Sequence, residues 1–373
     1  MAYTTIDDPT QYFNTVLFTG DIVDGDGTGH DQAVTGVGFQ PDWVWHKCRS
    51  HANQHMIVDS ARGTGGSPTQ MLTISSQDAN AEVNSNTNGI IESLDSDGFT
   101  VTSGNDSSSK SNNAGANGRT YVDWCWKAET AFSNDASATG VGTLDSAGRI
   151  NTTAGLAIIT TTGTGSAATI AHGLGAAPAM IMSKRRDSGN SNWRIFNKNL
   201  SSNSHILFLD TDSAEQSGNS ATWNNTAPTS TVFSVGSSGD VNASSGTFVH
   251  YCFAEVKGYS KIGKYKGNGS SDGAFVYTGF RPAWLMVKIS SGTNEWTMRD
   301  NKRDVDNSTN HTIYPNLGNA EAGGSGEGID FLSNGFKLRL SAGSLNGSSS
   351  TYIYMAFAEN PFVNSNGIPV NAR

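Results

Sequence analysis

Apolar residues in this chain come in short runs bounded by glycine, asparagine, aspartate and serine, and three of those runs share one plan. The blocks are Pro41-Asp42-Trp43-Val44-Trp45-His46-Lys47, Pro178-Ala179-Met180-Ile181-Met182-Ser183-Lys184 and Pro282-Ala283-Trp284-Leu285-Met286-Val287-Lys288. Each places apolar residues at the second to fourth positions after proline and lysine at the sixth. A second block follows each: Tyr121-Val122-Asp123-Trp124-Cys125-Trp126, Phe248-Val249-His250-Tyr251-Cys252-Phe253 and Tyr352-Ile353-Tyr354-Met355-Ala356-Phe357. Pro178 to Cys252 and Pro282 to Ala356 are both 74 residues apart, and Pro41 to Cys125 is 84. Such internal repetition decides architecture before any motif does.

Continuous apolar triplets of this length predict strands covered on both faces, with the shared lysine marking where the strand leaves the core. Strands also open each repeat at Phe13-Asn14-Thr15-Val16-Leu17-Phe18-Thr19, Leu156-Ala157-Ile158-Ile159-Thr160-Thr161-Thr162 and Ile262-Gly263-Lys264-Tyr265-Lys266. Asp95-Ser96-Asp97-Gly98 and Leu332-Ser333-Asn334-Gly335 have hairpin chemistry. Helical periodicity is absent beyond single turns at Ser213-Ala214-Glu215-Gln216 and Asn319-Ala320-Glu321-Ala322. The expectation is an all-β chain of three tandem β-sandwich repeats, jelly-roll or lectin-like, each with its own core. The divisions are an N-terminal arm at 1–12, repeat 1 at 13–132, a Ser/Gly/Thr-rich linker at 133–154, repeat 2 at 155–258, repeat 3 at 259–361 and a C-terminal tail at 362–373. Repeats 2 and 3 have almost no spacer and are expected to form a rigid pair.

Composition narrows the function. A length of 373 residues accommodates three units of about 100 each. A net charge of -9 removes the electrostatic basis for gripping nucleic acid. No apolar run approaches the roughly 18 residues of a membrane span, so a soluble protein without membrane insertion is expected. The first residues lack a basic region and an apolar stretch, which predicts a protein made and used without Sec export. Cys125 and Cys252 stand where the third repeat has Ala356, the mark of small buried thiols, and Cys48 belongs to no zinc-like spacing.

Candidate chemistry is sparse. Gly269-Ser270-Ser271-Asp272-Gly273 matches a nucleophile elbow in letters but lacks the strand-to-helix context that projects the serine. Gly258 to Tyr265 approaches a phosphate-binding loop, with Tyr265 where a magnesium-holding hydroxyl belongs. Asp21, Asp24, Asp26 and Asp31 cluster among glycines and supply the hard oxygens calcium prefers, without EF-hand spacing. Of the eight histidines only His51 and His55 stand four apart, with no helical pattern around them, and His46 exchanges with Ser183 and Val287 across repeats. Trp43, Trp45 and Trp126 alternate with Met and Phe, as core positions do. Trp193, Trp223 and Trp296 lie in polar surroundings and are the ligand-binding candidates, an aromatic face being able to stack on a sugar ring. No catalytic residue, no metal site and no cofactor is assigned.

Several phrases together resemble a family of repeat-containing structural proteins of tailed phages, marine ones especially, of the virion or tail-fibre type. They are Gly36-Val37-Gly38-Phe39-Gln40-Pro41-Asp42-Trp43, Asp59-Ser60-Ala61-Arg62-Gly63, Ser96-Asp97-Gly98-Phe99-Thr100, Trp124-Cys125-Trp126-Lys127-Ala128, Ala171-His172-Gly173-Leu174-Gly175 and Phe357-Ala358-Glu359-Asn360-Pro361-Phe362. His46-Lys47-Cys48 and the Asp/Gly insertion after Gly20 depart from the family's usual phrases. The resemblance implies a non-enzymatic virion component, assembled in the host cytoplasm, tail-associated and exposed for host attachment. It also implies contacts with other virion proteins, a homo-oligomer with a trimer as the guess, and a host surface glycan or protein as ligand. The arm at 1–12 or the tail at 362–373 would attach it. A head-decoration protein is the first alternative. A lectin or a surface-glycan depolymerase using Asp210, Asp212 and Glu215 is the second.

Overall fold

The proline-led blocks form strands because aromatic and aliphatic side chains follow one another without a polar break, which suits a pleated surface covered on both sides. The computed structural model describes residues 3–22, 30–65, 70–83, 89–102, 114–217, 220–323 and 328–370. The first segment contains β1 (Phe13–Thr19), β2 (Asp31–Thr35), β3 (Trp43–Cys48), β4 (Met56–Asp59), β5 (Thr64–Gly65), β6 (Gln70–Met71), β7 (Ile90–Asp95), β8 (Gly98–Thr102) and β9 (Thr120–Trp126). After β10 (Thr130–Asn134) and β11 (Ser146–Asn151), the second contains β12 (Leu156–Thr162), β13 (Ala168–Ala171), β14 (Met180–Arg185), β15 (Arg194–Asn197), β16 (Val232–Val235) and β17 (Thr247–Phe253). The third contains β18 (Ser260–Lys266), β19 (Phe275–Tyr277), β20 (Phe280–Ile289), β21 (Thr297–Asp300), β22 (Ile329–Leu332), β23 (Gly335–Leu338) and β24 (Thr351–Pro361). The chain is all-β, built from several antiparallel sheets.

One strand order occurs three times. The main sheets run β1-β9-β3-β4, β12-β17-β14-β15 and β18-β24-β20-β21, so the closing strand of each segment lies between its opening and proline-led strands. The second of these is extended to six strands by β10 and β11. Smaller sheets, β2-β8-β7, β13-β16 and β19-β23-β22, accompany them. Both turns with hairpin chemistry are hairpins: Asp95 pairs with Gly98 and Leu332 with Gly335.

Side-chain alternation along each main strand divides it between two cores. Trp43 and Trp45 point into a central core, as do Met180 and Met182, and Trp284 and Met286. Val44, Ile181 and Leu285, the residues between, point into three separate peripheral cores closed by the smaller sheets. The central core therefore belongs to all three segments, against the expectation of independent interiors. Trp126 sits 4.2 Å from Trp43, 5.6 Å from Trp284 and 5.6 Å from Phe357, ring centre to ring centre, and Trp43 stacks on Tyr251 at 5.0 Å. A fully buried tryptophan withdraws roughly 150–250 Å² from water, a gross gain of about 4–6 kcal/mol at about 25 cal/mol per Å².

The structure corrects several local expectations. Residues 133–154, predicted as a linker, contain α1 (Ala136–Thr139) and β11, with Asp135 accepting from the Ser137 and Ala138 N–H groups as the helix cap. The other short helices are α2 (Ser220–Trp223) and α3 (Gly239–Asn242). Ser213–Gln216 and Asn319–Ala322 are extended, not helical, because each joins a bridge, Ile206 with Gln216 and Thr312 with Ala322. Residues 3–12 are folded onto the body: Ile6 is buried in the central core and the Tyr3 hydroxyl donates to Gly279 O at 2.7 Å. Lys47, Lys184 and Lys288 do not leave the core; all three are fully buried.

Candidate functional site

Two of the three buried lysines join one segment to another. Lys47 donates to Asn53 O and to Gly318 O of the third segment (3.0 Å), and Lys288 to Asp212 O of the second (3.1 Å), Ile289 O and Gly292 O. Lys184 donates to Ser191 O at 2.6 Å. A buried ammonium needs acceptors on every side, and chain carbonyls supply them. Burial still pushes each lysine down to about 8.

A ring nitrogen makes the next contact, in a closed cycle. Trp193 Nε1 of the second segment donates to Ser75 O of the first at 2.8 Å. Trp296 Nε1 of the third donates to Phe208 O of the second at 2.8 Å. His55 Nε2 of the first lies 3.0 Å from Tyr314 O of the third. Burial holds His55 well below the ordinary histidine range, so the neutral ring donates its one N–H. Each segment thus grips the one before it, and the first grips the last.

Backbone bonds close a second cycle in the opposite sense. Glu82 N donates to Arg186 O, Glu215 N to Ser290 O and Glu321 N to Arg49 O, all at 2.8 Å. At two of these junctions charge is added. Arg62 bonds Asp59 and Glu82 while Arg186 grips both oxygens of Glu82 at 2.9 and 3.0 Å, and the Tyr251 hydroxyl donates to Asp59 at 2.6 Å. Arg303 bonds Asp300 and Glu321 while Arg49 grips Glu321 at 2.9 and 3.0 Å, and Trp124 Nε1 donates to Asp300 at 3.1 Å. Burial works against the Glu321 charge, but the Arg49 and Arg303 contacts hold its carboxyl below the ordinary range. The third junction has Asn197, Leu200 and Ser290 in the corresponding places, and Glu215 accepts from Ser201 N and Oγ instead. Apart from Glu215, these residues are absent from the sequence-based candidates. Their signal is Asp59-x-x-Arg62 and Asp300-x-x-Arg303, each 18 residues after its proline.

The predicted ligand residues are all interior. Trp193 and Trp296 are the junction donors just described, fully buried in the central core, and Trp223 lies in a peripheral core edge-on to Phe196 at 6.0 Å. No ring face of the three is open to a sugar. Polar neighbours mislead because they have partners too: Arg194 beside Trp193 pairs with Asp240 and lies 4.3 Å from the Phe208 ring. Asp21 is exposed, with its N–H donating to Gln32 Oε1 at 3.1 Å; Asp24 and Asp26 lie outside the described residues. Among the described residues no three His, Cys, Asp or Glu side chains converge as a metal site would require.

Most groups capable of catalysis are likewise committed to the fold. His46 Nδ1 and Asp123 Oδ1 meet at 2.7 Å, and His250 lies between Ser183 (2.7 Å) and Thr161 (3.1 Å), all fully or nearly fully buried. Burial carries His250 down to about 3, which leaves it neutral. Of the depolymerase candidates, Glu215 caps Ser201 and Asp212 offers its carbonyl to Lys288, whereas Asp210 is the exception: burial lifts it to about 6 and neither carboxylate oxygen has a hydrogen-bond partner among the described residues. A 500 Å³ cleft beside β11 and β12 contains Asp135, Asp145 and Arg186. There Asp135 caps α1, Asp145 accepts from Ala136 N at 2.9 Å and Arg186 holds Glu82. A second groove, of 430 Å³, runs between β18 and β19 and gathers lysines and exposed aromatic rings.

Residues 8–361 match the family model described as a domain of unknown function, DUF7483, and the chain belongs to that family. No curated protein and no solved structure matches the chain.

Proposed function

We propose that this chain is a non-catalytic structural component of a bacteriophage virion, tail-associated and exposed on the particle, where it takes part in host attachment. Its architecture is read as three tandem β-sandwich units of the lectin-like kind, closed on one another instead of strung along a fibre. The observation that carries the reading is the double cycle of junction contacts around one core. Catalytic sites keep polar groups free to meet a substrate. In this chain the imidazoles and hydroxyls discussed above, and the carboxylates of Asp59, Glu82, Asp123, Asp135, Asp145, Glu215, Asp300 and Glu321, are committed to partners within the fold. A body cross-joined in this way resists local opening, which suits a particle surface exposed to proteases. The homotrimer drawn from analogy with fibres belongs to the same proposal, and light scattering against the single-chain mass of 39.3 kDa measures it.

Purified particles probed by mass spectrometry and by immunogold labelling test this reading. The chain is expected in intact particles, with gold at the tail. Absence from washed particles overturns the virion assignment, and gold on the head moves it to decoration. Reducing ends released from host envelope glycans by the purified protein would overturn the non-catalytic reading.

A further inference from the structure

The opening strand is the edge of the main sheet in the first and third segments, and the three segments treat that strand differently. In the first, side chains latch β1 to the small sheet: Gln32 Nε2 donates to Thr19 O at 2.9 Å, and Asn14 Nδ2 to Val37 O at 3.1 Å. In the second, residues 130–151 fill the corresponding space. There β11 pairs antiparallel with β12, Ala147 opposite Thr160 and Arg149 opposite Ile158. The Thr143 and Leu144 N–H groups reach across to Thr169 O on β13 at 2.8 and 3.2 Å, and Phe132 and Ile150 cover the peripheral core.

The third segment has neither device. Lys261 and Ala274 stand where the first has Asn14 and Gln32, and the link from Ala254 to Tyr259 is too short to supply a strand. The 430 Å³ groove between β18 and β19 is what remains. Ala358 N donates to Tyr259 O and Gly267 N to Ser350 O, which assigns the odd-numbered residues of β18 to the ladder with β24. The even-numbered residues direct their backbone groups outward. Those of Ile262 are taken by Glu255 and Asn199, whereas Lys264 and Lys266 have no backbone partner among the described residues. Lys264 occupies the register of Thr160, and Phe275 that of Thr169. These are two of the positions through which the second segment is covered.

Surface chemistry selects the occupant. Phe275 and Tyr277 are 46% and 56% exposed. Lys198 and Lys261 share the single carboxylate of Glu255, while Lys264 and Lys266 are exposed without an ion pair among the described residues. The groove is therefore cationic on a chain whose net charge is -9. An open edge with apolar flanks is a template for an added strand. We propose that the β18–β19 groove is the docking site for an extended, carboxylate-bearing strand of a partner protein, which pairs antiparallel with β18 at Lys264 and Lys266 and covers Phe275 and Tyr277. The proposal stands independently of the virion assignment.

Backbone amide exchange on the full chain, followed by NMR, tests it with two capped peptides of about eight residues. One alternates valine with glutamate; the other alternates valine with lysine. The glutamate peptide is expected to slow exchange at Lys264 and Lys266 by on the order of tenfold or more, leaving Leu17 on β1 unchanged, and the lysine peptide to do nothing. Lys264→Pro removes an outward donor without breaking a ladder bond and should abolish the protection at unchanged melting temperature. Should that variant unfold, Lys264→Glu with Lys266→Glu should weaken binding by on the order of tenfold. Protection by neither peptide, equal protection by both, or equal protection at Leu17 overturns the proposal. So does protection without peptide that grows with protein concentration, since a second copy would then be the occupant.

Discussion

Two junctions of this molecule carry a four-charge clamp and the third does not, although all three keep the same backbone bond. Where Arg62 and Arg303 sit between acids, Leu200 fills the corresponding space, with Asn197 in place of Asp59 and Asp300. The contrast teaches that closing a junction does not require buried ion pairs. Desolvating an arginine and two carboxylates costs about what their mutual attraction returns, so a packed leucine is an equivalent solution. What the clamps add is intolerance of partial loss: remove one member and the others stay buried without compensation. They also fix which surfaces meet, because Glu82 and Glu321 each need an arginine from the adjoining segment.

The largest expected effect comes from breaking one clamp. Arg303→Leu leaves Asp300 and Glu321 facing each other and should cost about 3–5 kcal/mol in urea unfolding, whereas Ser290→Ala at the junction without a clamp should stay within about 0.5 kcal/mol. Adding Asp300→Asn to Arg303→Leu copies the third junction and should recover part of that loss, a coupling of about 1–3 kcal/mol; strict additivity would refute the comparison. Next comes Tyr251→Phe, which deletes a hydroxyl bonded to the Asp59 carboxylate and should cost about 1.5–3 kcal/mol. Met355, its counterpart in register, makes no such bond, and Met355→Leu should cost less than about 1.5 kcal/mol.

Smaller effects appear in the pH dependence. Glu321 has a folded pKa below its ordinary 4.5, so its contribution is complete above that value and is lost as pH falls through the folded one. Glu321→Gln should flatten the acid limb of the stability curve. The lysines act at the other end. With folded values of about 8 against an ordinary 10.5, the unfolded chain binds more protons between the two, and stability should rise with pH across that window. Lys288→Met should remove one share of that rise, read as a smaller change in urea midpoint between pH 8 and pH 10; an unchanged slope contradicts the burial argument.

Much of the local fold was legible because the repeat supplied its own control. Swaps such as Trp43 for Met180 and Cys125 for Ala356 mark positions filled by bulk, and all of these are buried. The hairpins followed from turn chemistry. The closure was not legible, because His55, Trp193 and Trp296 do one job with different side chains, and their acceptors are backbone carbonyls that leave no trace in residue identity. Polar flanks made Trp193 and Trp296 look like surface aromatics, when Arg194 pairs with Asp240 and Glu295 accepts from Asn316, each within its own segment. The stretch 133–154 reads as a linker since β11 is a small-residue strand held by its neighbour β12 and not by its own propensity.

The central claim is that three segments share one core and unfold as one body. Differential scanning calorimetry of the intact chain tests this most directly. A single transition whose calorimetric enthalpy equals its van't Hoff enthalpy is the predicted result. Two or three separable transitions, each with the enthalpy of roughly 100 residues, would contradict it.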